Sequence, residues 1–125
     1  MSDRSTVPPE QRRKLQQAIV TDEGVHNALE FLRKNAAKIG AARRRLVLAD
    51  GMVSHVEALQ SRMSEEKAAD ARKAEARASA EYKAAVVEQA EAAGAYETMR
   101  AAQIAASAII ECWRSEQANI RSMTL

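Results

Sequence analysis

Proline stops at residue 9, so nothing in the following 116 positions forces a helix to break. Glycine is scarce as well, with four residues in 125. Aromatic residues make up 3% of the chain, which removes the bulky side chains from which a thick globular core is built. Cysteine occurs once, at Cys112, so no internal disulfide can form, and such usage fits a reducing compartment. No apolar run approaches the ~20 residues that span a bilayer. The opening stretch MSDRSTVPPEQRRK lacks an apolar core, so no secretory signal is expected.

What remains is alanine and charge. The chain is 46% hydrophobic, and between Glu65 and Ile110 there are 18 alanines in 46 residues. Alanine is the best helix former, and alanine mixed with Glu, Lys and Arg is the composition of long helices and coiled coils. The expected fold is all-α: an elongated, coiled-coil-like antiparallel helical hairpin with a short N-terminal helix. Residues 1–21 form the tail and that short helix, which runs from Pro8 or Pro9 to about Val20. Residues 22–125 form the hairpin. Thr21 or Asp22 suits the start of the first long helix, with Asp22 and Glu23 at its positive end.

Two apolar seams support the hairpin. Val25, Leu29, Leu32, Ala36, Ile39, Leu46, Val53, Val56 and Met63 recur at helical spacing, interrupted at Arg43. Tyr82, Ala85, Gln89, Ala92, Tyr96, Met99, Gln103, Ala106, Ile110, Trp113, Gln117 and Ile120 alternate steps of three and four, the coiled-coil period. The turn is placed near 61–66, in SRMSEE, where Ser61 or Ser64 can cap a new helix. Arg62 and Glu66, four apart, would equally support an uninterrupted helix. Residues 65–110 contain no proline and one glycine, so they read as helix throughout.

Net charge is +2, unevenly spread. Residues 1–50 hold ten basic and six acidic side chains; residues 51–125 hold nine and eleven. Arg43, Arg44 and Arg45 form the densest basic cluster and are the candidate nucleic-acid contacts; Arg12, Arg13 and Lys14 form the second. Consecutive charges spread round a helix rather than forming a stripe, and no aromatic residues interleave to stack on bases.

Chemistry-bearing constellations are missing. His26 and His55 have no Cys or acid at metal-ligand spacing, and there is no glycine-rich phosphate loop. Cys112 has no His nearby in sequence and reads as a small apolar residue. No enzymatic activity, cofactor or metal is expected.

The stretches ALEFLRKNAAKIGAAR, AEYKAA and YETMRAAQIAASAIIECWRSEQANIRS resemble a family of small bacteriophage proteins encoded near DNA recombination or replication genes. Ala28, Leu29, Phe31 and Leu32 match the family's start. Ile110, Glu111, Trp113, Arg114, Ala118, Asn119 and Arg121 match its end. The resemblance covers about residues 25–122. It implies an accessory protein in the cytoplasm of the infected bacterial host, acting on a phage or host protein of DNA metabolism. A direct nucleic-acid binder and a structural coiled-coil assembly protein, including a homo-oligomer, are the alternatives. Trp113, Arg114, Asn119 and Arg121 are the candidate partner-binding residues. The one indole either anchors the open end of the hairpin, near Val25, Leu29 and Leu32, or belongs to a binding hot spot, where Trp and Arg are enriched. Arg114 can pair with Glu111, and Asn119 suits a helix terminus.

Overall fold

The structure is a computed structural model and describes Pro8, Pro9 and residues 20–124. The segment 10–19, which would hold the expected N-terminal helix and the Arg12–Lys14 cluster, lies outside the described residues. The fold is an all-α antiparallel hairpin, with three helices and no strand among the described residues: α1 (Asp22–Met63), α2 (Ala69–Ala78) and α3 (Ala80–Thr124).

Helix α1 begins where its first free N–H groups find an acceptor. Thr21 Oγ1 accepts from the Gly24 N–H at 3.0 Å, and Asp22 and Glu23 occupy the first turn. The helix ends at Met63, and residues 64–68 are non-helical. No described residue has a positive φ, so the reversal uses side chains instead of glycine. Ser64 Oγ accepts from the Glu66 N–H at 3.1 Å and donates to Glu75 at 2.7 Å. Arg72 reaches back to the carbonyls of Lys67 (2.8 Å) and Glu66 (3.4 Å). Across the turn, Glu57 takes Arg77 at 3.2 Å and Lys73 at 4.0 Å.

The helix expected without interruption over 65–110 is broken twice, by the turn and by Ser79. Ser79 has extended backbone, with ψ of 151°. Its hydroxyl donates to the Ala76 carbonyl at 2.6 Å and accepts from the Tyr82 N–H at 3.2 Å. One serine thus closes α2 and opens α3, because its short hydroxyl competes for backbone groups that a helix would otherwise pair. Ala76 is fully buried beneath this joint.

The chain divides into two compact units: the start of α1 through Asn35 with α3 from Ala102 onward, and Ala36–Ala101. In the second unit the contacts run in opposite chain directions. Arg43 meets Tyr96, Arg45 meets Glu91, Asp50 meets Gln89, and Glu57 meets Arg77. In the first unit the beginning of α1 meets the C-terminal part of α3, through Asp22 and Trp113.

The inward face of α3 is the seam Tyr82 to Ile120, every member of which is buried or half-buried. The seam of α1 differs from expectation. Leu29, Ala36 and Met63 are exposed, while Ala28, Asn35, Ala42 and Ala49 join Val25, Leu32, Ile39, Leu46, Val53 and Val56 inside. These positions alternate steps of three and four, as those of α3 do. Among the described residues, five of the eight buried hydrophobic side chains are alanines, so the interface is a close approach of two backbones and not a deep core. No buried side-chain N or O among the described residues lacks a partner.

Candidate interaction surface

The cluster Arg43–Arg45 is divided by the helix on which it lies. Successive residues are turned by about 100°, so three neighbours face three ways. Arg43 turns toward α3, where its guanidinium donates to the Tyr96 hydroxyl at 3.3 Å and lies 5.5 Å from the ring centroid. Arg45 makes a two-pronged contact with Glu88, at 2.7 and 3.1 Å. Arg44 alone makes no hydrogen bond or ion pair among the described residues. Two of the three candidate nucleic-acid contacts therefore join the two long helices to each other.

These contacts shift titrations. The Arg45 hydrogen bond holds the Glu88 carboxyl below the usual carboxylate range. The Arg43 hydrogen bond lowers the Tyr96 phenol, helped by Arg100. Both follow from donors that favour the anionic form.

The candidate partner-binding residues on α3 do not share one face. Trp113 turns inward and is half-buried; its indole N–H donates to Asp22 at 3.2 Å. Arg114 is exposed and pairs with Glu111 at 3.1 Å. Arg121, also exposed, lies two turns on along the same flank, whereas Asn119 is exposed on the opposite flank. Asn119 does not terminate the helix, which continues to Thr124. With 3.6 residues per turn, the spacing 114–121 returns to one side and 119 cannot.

Cys112 is half-buried, with its thiol 3.7 Å from Glu116. Burial, and then the neighbouring carboxylate, push the thiol up, which disfavours the nucleophilic thiolate. His26 and His55 are exposed on α1. Among the described residues no three His, Cys, Asp or Glu side chains converge to hold a metal ion.

Periodicity alone did not reveal an apolar groove inside the second unit. Its volume is about 600 Å³. Leu48 and Met52 of α1 and Ala84 and Ala85 of α3 line its floor and sides. Leu48 is 64% exposed and Met52 50%, large fractions for residues of this size. The available signal was Leu48 and Met52 four apart on one face of α1, outside the inward seam.

No family model, curated protein or solved structure matches the chain. None of the described helices is long and apolar enough to cross a membrane.

Proposed function

We propose that this chain is a non-enzymatic bacteriophage accessory protein, working in the cytoplasm of the infected host. It binds a component of the DNA recombination or replication machinery through a helical surface. The family resemblance at 109–122 supplies the biological setting. One observation carries the assignment of the surface: on the last turns of α3, Trp113 is tied inward to Asp22 while Arg114 and Arg121 stand exposed along one flank. One exposed flank of the helix thus carries two arginines, Arg114 beside Glu111 at the surface and Arg121 two turns on, and arginine is the side chain best suited to paired recognition of carboxylates.

Direct nucleic-acid binding is the weaker reading, because Arg43 and Arg45 are engaged with Tyr96 and Glu88. The test is affinity capture from phage-infected cells with the wild-type chain and the Arg114→Ala/Arg121→Ala variant. Enrichment of a recombination or replication protein by the wild type, lost with the variant, supports the proposal. Equal capture by both, or no such protein with either, refutes it.

A further inference from the structure

The groove of the second unit has a polarity that selects its occupant. It follows α1 from Ala41 to Val56 and α3 from Glu88 back to Glu81. The contacts Arg45–Glu88 and Asp50–Gln89 fix the register of α1 and α3. Glu81 therefore stands near Val56, at one end of the groove, and Arg44 stands at the other, beside Arg45. Neither Glu81 nor Arg44 makes a hydrogen bond or ion pair among the described residues, although both line the groove. Arg45 and Glu88, between them, are already paired with each other.

We propose that a second copy of this chain docks in this groove, forming a two-fold dimer in which two hairpins make a four-helix bundle. A two-fold axis through the middle of the groove carries one end onto the other. Arg44 of each copy then meets Glu81 of its partner, and one rotation satisfies both pairs. Self-complementarity of this kind is what an isologous interface requires. The apolar floor follows the same symmetry. Leu48 and Met52 project, while Ala41, Ala84 and Ala85 leave room, so the large residues of one copy fill the space over the small residues of the other. The occupant is thereby set apart from a generic amphipathic helix, which would need only the apolar floor. The site lies in Ala36–Ala101 and is independent of the Arg114 and Arg121 flank, so either proposal can fail without the other.

Sedimentation equilibrium on the purified full chain tests this. The wild type should be a dimer. Arg44→Glu places a carboxylate against Glu81 at both ends of the interface, and Glu81→Arg places two guanidinium groups together. Each should weaken dimerisation by about tenfold or more, since like charges facing across an interface are costly. The double exchange, Arg44→Glu with Glu81→Arg, restores both pairs and should recover the dimer. Circular dichroism should show unchanged helix in all three variants, because neither side chain holds the hairpin together. A monomeric wild type, a trimer or larger assembly, single exchanges that leave the dimer intact, or a double exchange that fails to recover it would each overturn the proposal.

Discussion

The guanidinium of Arg43 donates to the hydroxyl of Tyr96, 53 residues away in the chain, and lies 5.5 Å from the centre of its ring. Tyr96 is 8% exposed and is the largest of the buried side chains among the described residues. Arg43 covers that ring at the edge of the helix interface. An arginine that interrupts the apolar series of α1 is thus part of the packing, with its planar head on an aromatic face. Because the same contact favours the phenolate, Tyr96 should ionise below the range of a free tyrosine. Ultraviolet titration of a Tyr82→Phe variant isolates this group. Adding Arg43→Ala should move the midpoint up.

Arg45 and Arg44 are adjacent and should behave differently. Glu88 binds its proton less readily in the folded chain than in the unfolded one, because Arg45 stabilises the carboxylate. The stability from this pair is therefore present above the ordinary carboxylate range and is lost as pH falls through the lower folded value. Carbon-detected NMR should place the Glu88 midpoint below that of a free glutamate, and Arg45→Ala should raise it. Arg44→Ala should leave it in place.

Gly40 and Gly51 lie inside α1, and a Cβ added at either meets nothing within 4 Å. Each should be replaceable by alanine with a gain of ~1 kcal/mol, the difference in helix propensity. Urea denaturation should show the midpoint of each variant moving up with no change in slope.

Ser79 caps two helices with one hydroxyl. Ser79→Ala removes the acceptor for the Tyr82 N–H and should cost ~1 kcal/mol, as loss of a helix cap does. Amide hydrogen exchange should show the protection of Tyr82 falling, while that of Ala92 stays unchanged.

The seam of α3 was legible because its large residues, Tyr82, Tyr96, Ile110 and Trp113, fall on the inward face and set the period. That of α1 was legible only in part. Large residues dominate an apolar periodicity, and Leu29 outweighs its neighbour Ala28. In a close antiparallel pair the small residue often faces inward, because it lets the backbones approach. The strict three-and-four alternation from Val25 would have picked Ala28, Asn35, Ala42 and Ala49. The break at Ser79 was hidden because helix-forming residues surround a single serine. The Glu111–Arg114 pair was visible as a spacing of three on one helix. Arg45–Glu88 and Trp113–Asp22 depend on the register of two helices, and no local pattern carries that. The groove was hidden for the same reason: its two walls are some 40 residues apart in sequence.

Trp113 is tied into the fold by its contact with Asp22, whereas the partner surface proposed for Arg114 and Arg121 is exposed, and thermal melting of variants separates the two roles. A fully buried tryptophan replaced by alanine costs ~3–5 kcal/mol; Trp113 is half-buried, so roughly 2 kcal/mol is expected. For a chain of this size that lowers the melting temperature by roughly 5–10 °C. Arg114→Ala combined with Arg121→Ala should move it by no more than about 2 °C, in line with exposed surface positions. A Trp113→Ala variant that melts with the wild type, or an arginine variant that melts as early as Trp113→Ala is expected to, would contradict that division of roles.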